Sequence, residues 1–298
     1  FIAMGNLFGL FFFLQPPTGS LSATVALAQT LTLPAIGWTA LASSTGAGAR
    51  STSVYLQDQI ELAPFAQIIA GLRHDRFTID ATNRLTSAVT AREDAMWSPR
   101  LGLVLKPRAN MSLYASYAKS FLPQAGDQFT TLDASYQTLA PEAFRNLELG
   151  AKWDLTTSLS FSAAAFQVDR SNTRANDPLT GNLVLTGSSR VRGLEAGLAG
   201  KITPTWQVSL GYTYQQGEIR STTTAAPAGR KLDKLPAHQF AAWTRHEVTG
   251  RLGLGLGLVH QSGQYATISN AVRLPAFTRI DAAAYYDLSD RAGLQLNV

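Results

Sequence analysis

The fold class the sequence predicts is all-β, an antiparallel transmembrane β-barrel. Three observations carry the expectation: side chains that alternate with a period of two, sparse charge at neutral hydropathy, and connections that alternate in length. Only 15% of the 298 residues are Asp, Glu, Lys or Arg, against roughly 25% in an ordinary soluble domain. Mean hydropathy is nevertheless 0.00, and no stretch approaches the ~20 continuous apolar residues of a membrane-crossing helix. Apolar and polar residues that alternate along strands, one set toward lipid and the other toward a wet interior, produce that combination. The chain has no cysteine, which excludes disulfides, thiolate catalysis and thiolate metal sites. The net charge of +5 comes from scattered Lys and Arg without a basic run, which reads as loop and girdle charge and not as a nucleic-acid surface.

In chain order, residues 1–50 stand apart as an unassigned apolar N-terminal segment. Leu7 to Leu14 (LFGLFFFL) is apolar and aromatic, and Val25 to Gln29 (VALAQ) carries an Ala-x-Ala pattern like a signal-peptidase site. No Lys or Arg precedes the apolar run and Pro16 and Pro17 follow it, so the alternatives are a signal-like segment and a frame-shifted one. From Ser51 the period becomes two, and about twelve strands are expected, beginning near Ser51, Ala66, Ala95, Met111, Ala143, Leu159, Ser188, Trp206, Ala237, Arg251, Phe277 and Ala292. Leu101, Leu103 and Leu105 alternate with Gly102 and Val104; Leu147, Leu149, Ala151 and Trp153 with Glu148, Gly150 and Lys152. Trp206, Val208, Leu210, Tyr212 and Tyr214 repeat the pattern, and Leu252 to Leu258 alternates leucine with glycine. Most of these runs reach the ~9–11 residues that a tilted strand needs to cross a bilayer.

The connections reinforce the reading. Short ones at Ala63 to Phe65, Pro107 to Asn110, Leu155 to Ser158, Ile202 to Thr205, Thr249 to Gly250 and Ser289 to Arg291 alternate with long ones. The long ones are Phe77 to Asp94, Leu122 to Glu142, Ser171 to Ser189, Ile219 to Pro236 and Gln261 to Pro275. A transmembrane barrel has tight periplasmic turns on one rim and longer extracellular loops on the other. On that assignment Trp153 and Trp206 belong to an aromatic girdle at the periplasmic boundary, and Trp97 to one near the opposite rim. Turn parity makes the first strand run down and the last run up, so the sheet is expected to be open as given.

Several stretches resemble the TonB-dependent siderophore receptors: SVYLQDQIEL (Ser53 to Leu62), WSPRLGLVLKP (Trp97 to Pro107), SLYASYAKSFLP (Ser112 to Pro123), LAPEAFRNLELGAKWDL (Leu139 to Leu155), SSRVRGLEAGLAGKI (Ser188 to Ile202), GYTYQQGEI (Gly211 to Ile219), KLPAHQFAAWTRHEV (Lys234 to Val248) and LQLNV (Leu294 to Val298). They occur in family order across 51–298, whereas residues 1–50 show no such resemblance. The resemblance implies a 22-stranded barrel around a plugged lumen, of which 51–298 supplies about twelve strands without the plug domain. It further implies location in the bacterial outer membrane, contact with its lipid, energy-coupled uptake of a ferric siderophore, and coupling to the TonB complex through the plug of the full-length protein. Chelate contacts in such receptors fall on the loop side, which singles out Phe121, Gln124, Tyr136 and Tyr265.

The residues by themselves favour no enzyme, cofactor or metal. His74, His238, His246 and His260 fall on different strands without ligand spacing. Gly253 to Gly257 lacks the spacing of a nucleotide loop and reads as a small-residue face toward the lumen. Glu148 and Glu195 oppose leucines and are expected to point inward as hydrated carboxylates. The alternatives to a receptor are a passive porin-like or structural barrel and a truncated piece without autonomous activity.

Overall fold

A computed structural model describes residues 44–123, 140–176, 183–222 and 226–298. Most of the segment 1–50 therefore lies outside the described residues, as do Gln124 and Tyr136. The strands are β1 (Thr45–Ala63), β2 (Ala66–Asn83), β3 (Val89–Arg108), β4 (Met111–Leu122), β5 (Glu142–Thr156), β6 (Leu159–Asn176), β7 (Leu183–Thr203), β8 (Trp206–Ile219), β9 (His238–Glu247), β10 (Leu252–Gln261), β11 (Gln264–Tyr265), β12 (Arg273–Leu274), β13 (Phe277–Ser289) and β14 (Ala292–Asn297). Twelve of them form one sheet in the order β1-β2-β3-β4-β5-β6-β7-β8-β9-β10-β13-β14, and β11 and β12 make a small hairpin. Every neighbouring pair in the large sheet is antiparallel. The order is a meander, with β1 and β14 as its two edges.

Register joins the apolar residues into rows that cross the sheet. Ala115, Leu149, Ala165, Leu194 and Tyr214 stand opposite one another on five consecutive strands. Opposed residues share a face of a sheet, so the leucine face of each strand is continuous with that of the next. This face is exposed: 64% of Leu149, 55% of Leu194 and 54% of Leu256 is accessible, while Gly253, Gly255 and Gly257 on the other side of β10 are buried. A soluble sheet hides such leucines. Here the polarity is inverted, as a wall facing hydrocarbon requires.

Two expected connections are shorter than the sequence indicates. The stretch Phe77 to Asp94 is mostly strand, because β2 runs to Asn83 and β3 starts at Val89. Asn83 closes the hairpin, its Oδ1 accepting from the amides of Leu85 (2.9 Å) and Thr86 (3.3 Å), and Ser87 takes the left-handed conformation at φ 59°. Phe77, Ile79, Ala81 and Met96 then form a buried cluster, which gives the hairpin a core of its own beyond the lipid-crossing length. Similarly, β6 continues to Asn176 and β7 starts at Leu183, ahead of the expected Ser188. Strand ladders propagate past the bilayer wherever side chains can pair, so several strands exceed the expected length, β7 reaching 21 residues. The first strand likewise begins at Thr45, earlier than Ser51.

The connections after β8 and β10 meet in a separate small layer. Ile219, Ala226 and Ile268 are buried together with Leu232 against them. Asn270 locks the two segments, its Nδ2 donating to the Lys231 carbonyl at 2.9 Å and its Oδ1 accepting from the Lys231 amide at 3.1 Å.

Candidate functional site

The face opposite the leucines is polar and carries the candidate site. Toward its upper part lies a cavity of about 610 Å³, within the ~300–1,000 Å³ range of ligand pockets. Arg73, Asp75 and Phe77 of β2, Met96 and Ser98 of β3, and Phe121 of β4 line it. The alternation of β2 places Arg73, Asp75 and Phe77 on one face, with Leu72 and His74 on the other. Asp75 holds Arg73 in place through a forked ion pair, with Nη2 to Oδ1 at 2.7 Å and Nε to Oδ2 at 2.9 Å. Tyr55 stands directly across from Arg73 on β1, so it belongs to this polar face. A guanidinium beside aromatic rings suits an anionic ligand with a π-rich or apolar body.

Of the residues the sequence singles out for ligand contact, Phe121 lines this cavity and packs on the Phe77 cluster. Tyr265 lies elsewhere, in the β11–β12 hairpin, where its carbonyl accepts from the Lys234 amide at 2.8 Å. Tyr265 is not part of the lining of this cavity. Arg73, Asp75 and Met96 fall in strands that the sequence reading expects, but it does not single them out, because a local pattern does not say which strands meet across the sheet; only the tip of the β2–β3 hairpin, from Phe77 to Asp94, reads as a loop. The signal that would find it is the alternation of Phe77, Ile79 and Ala81 with Thr78, Asp80 and Thr82.

Further along the sheet, Glu148 accepts from the Tyr114 hydroxyl at 2.6 Å on the face opposite Leu147 and Leu149. On the same face of β9, Trp243 lies over the glycine stripe: a Cβ added at Gly255 or Gly257 would stand 2.6 or 2.7 Å from its ring. The glycines thus serve as the bed for an inward indole. The three tryptophans expected at the boundaries are exposed on the leucine face. Trp153 lies near the lower end of β5, Trp206 opens β8 and donates Nε1–H to Thr244 Oγ1 at 2.7 Å, and Trp97 packs tilted against His74 across β2 and β3, ring centroids 4.5 Å apart. From Trp206, the ~9–11 residues of a bilayer crossing end near Gln216. Glu218 lies beyond, and its carboxyl sits below the ordinary range because Arg220 hydrogen-bonds it at 2.8 Å, with Lys231 and Arg192 adding attraction.

A twelve-stranded meander with an exposed apolar wall, tight turns at one rim and a polar inner face defines the class: an outer-membrane β-barrel. The chain belongs to the family described as TonB dependent receptor-like, beta-barrel, which matches residues 8–298 and so extends into the N-terminal segment where the sequence alone suggests no resemblance. It is similar to the probable TonB-dependent siderophore receptor PiuA of Acinetobacter baumannii, with 35% identity over 83% of this chain and 36% of PiuA. It is similar also to the catecholate siderophore receptor Fiu of Escherichia coli K12, with 30% identity over 72% of this chain and 30% of Fiu. The crystal structure of PiuA superposes with a TM-score of 0.76 at 33% identity, covering 84% of this chain and 38% of that one. The chain therefore spans about a third of the length of these relatives.

Proposed function

We propose that this chain is part of the barrel of a receptor that takes up a ferric siderophore across the bacterial outer membrane. In this reading the chelate binds at the outer end of the barrel and passes inward when the TonB complex acts on a plug domain of the whole receptor. The observation that carries it is the 35% identity to a siderophore receptor over 83% of the chain. The Arg73 and Phe121 cavity supports it, because a cation flanked by aromatics suits an anionic iron chelate. Phe121 is the contact favoured by both sequence and position; Tyr265, Gln124 and Tyr136 remain proposed contacts from the loop side. Trp97, Trp153 and Trp206 are proposed girdle residues.

The test is uptake of radiolabelled ferric siderophore by cells whose only siderophore receptor is the whole protein. Arg73→Ala with Phe121→Ala is expected to lower apparent affinity about tenfold, the loss of roughly one charge-assisted contact, at unchanged receptor level in the outer membrane. Undiminished uptake by the double variant would remove this cavity from the pathway, and no uptake by the unaltered receptor across hydroxamate, catecholate and mixed chelates would overturn the function.

A further inference from the structure

Above Tyr214, β8 has no β9 residue beside it, because β9 begins at His238, opposite Tyr214. The connection between the two strands takes that place. Residues 229–232 run back along the upper end of β8: the Ile219 amide donates to the Arg230 carbonyl at 2.9 Å, the Gly229 amide to the Ile219 carbonyl at 2.8 Å and the Leu232 amide to the Gly217 carbonyl at 3.1 Å. Lys231 is thereby bridged to Glu218 in antiparallel register. Past the bridge the segment turns over the inner face. Gly217 alternates with Gln216 and Glu218 of the leucine face, and Leu232 and Leu235 occupy the space where a Gly217 side chain would stand. Ile219, on the same side as Gly217, is 1% exposed, with Ala226 at 1% and Ile268 at 5% in one buried cluster with it.

Ile268 belongs to the connection after β10, so the cluster joins two separate segments. Hydrogen bonds fasten the same two. Asn270 clamps the Lys231 backbone, donating to its carbonyl at 2.9 Å and accepting from its amide at 3.1 Å. The Lys234 amide donates to the Tyr265 carbonyl at 2.8 Å. At the base, the His238 amide donates to Ser262 Oγ at 3.0 Å and the Ser262 amide to the His238 carbonyl at 2.9 Å. Asn270 and Lys234 both take the left-handed conformation, at φ 57° and 54°, which a side chain such as lysine keeps only where its surroundings hold it. Segments that open and close are drawn from the least stable parts of a fold, with few buried apolar contacts and backbone bonds left to water. These two connections have the reverse character.

We propose that the connections after β8 and β10 form one fixed shelf over the inner face, which keeps its place throughout uptake and confines the passing chelate to the part of the mouth it leaves open. The inference rests on the siderophore-uptake function proposed above. Parting the shelf exposes the Ile219 cluster to water, and Lys231 takes part in both the Asn270 clamp and the bridge to Glu218, so neither connection lifts without the other. The candidate chelate cavity is lined from β1 to β4 and shares no residue with the shelf. Tyr265 is presented from a rigid mount and is not brought in by closure.

Two cysteine pairs, each placed in the whole receptor, test the shelf; this chain has no cysteine of its own. Glu218→Cys with Lys231→Cys ties the shelf to β8, since residues in bridge register have the Cα separation that a disulfide needs. Lys231→Cys with Asn270→Cys ties the two connections to each other. Uptake of radiolabelled ferric catecholate, hydroxamate and mixed chelates is expected to agree within about twofold between the oxidised and reduced forms of each pair. A fall of about tenfold or more on oxidation, restored by reductant, overturns the proposal. Where a pair fails to cross-link or lowers the receptor level, hydrogen exchange of the unaltered receptor decides. The Lys231 and Lys234 amides are expected to exchange at least about a hundredfold slower than free peptide amides, with or without the chelate that is taken up. Exchange near the free-peptide rate, or exchange that the chelate slows about tenfold or more, overturns the shelf. Absence of uptake by the unaltered receptor overturns the proposed function instead, and the exchange rates of the free receptor then judge the shelf by themselves.

Discussion

Leu149 stands between Ala115 and Ala165 on the exposed face of β5, four residues above Trp153 and so near the middle of the apolar band. A charge there must be carried into hydrocarbon. Leu149→Arg is expected to lower barrel stability by roughly 2–4 kcal/mol in lipid vesicles, read from the urea midpoint of refolding, whereas Lys152 already sits on the wetted face without that penalty. The opposite face sets a steric limit. Because a Cβ at Gly257 would meet the Trp243 ring at 2.7 Å, Gly257→Val is expected to cost about 1–3 kcal/mol by overpacking, visible as a lowered thermal midpoint and a shifted Trp243 emission. Leucine on one side of β10 and glycine on the other are thus required for different reasons, lipid contact and indole packing.

At the scale of elements, the β2–β3 hairpin is a strand pair with its own cap and core above the lipid. Asn83 accepts two amides at its tip, and the Phe77, Ile79, Ala81 and Met96 cluster fills its polar-side face. Asn83→Ala leaves those amides to water and is expected to raise protease nicking within 84–88 several-fold, consistent with roughly 1 kcal/mol of lost hydrogen bonding, while the rest of the sheet keeps its resistance. Unchanged nicking would show that the buried cluster alone closes the tip. The same hairpin supplies most of the candidate cavity. Its position was legible only in part, since Phe121 ends a strand already evident from SLYASYAKSFLP, whereas Arg73 and Met96 enter the site only once their strands pair residue for residue.

At the scale of the whole molecule, the twelve-stranded sheet has unlike faces, and the tryptophans report on both. Brominated lipids are expected to quench Trp153 and Trp206, which are exposed on the leucine face, and to leave Trp243 unquenched, since its ring lies against Gly255 and Gly257 on the other face. Single-tryptophan variants separate the signals, and quenching of Trp243 comparable to that of Trp153 would refute the assignment of faces. The two sheet edges, β1 and β14, are unpaired with each other among the described residues. In hydrocarbon each exposed backbone amide costs several kcal/mol, so both edges require partner strands wherever this sheet crosses a bilayer.

The sequence by itself determined the class of fold, the starts of most strands and which side chains share a face, because a period of two is a local property of extended chain and survives without any knowledge of partners. It determined also the rhythm of turns and the family, through runs such as ELGAKWDL and SSRVRGLEAGLAGKI. Register was left to the tertiary structure, since it depends on which residue of the next strand stands opposite, and a local pattern does not encode that. Register alone extended β2 and β3 into a capped hairpin, laid Trp243 on the glycine stripe, and aligned Arg145, Asp169 and Arg190 into one charged row.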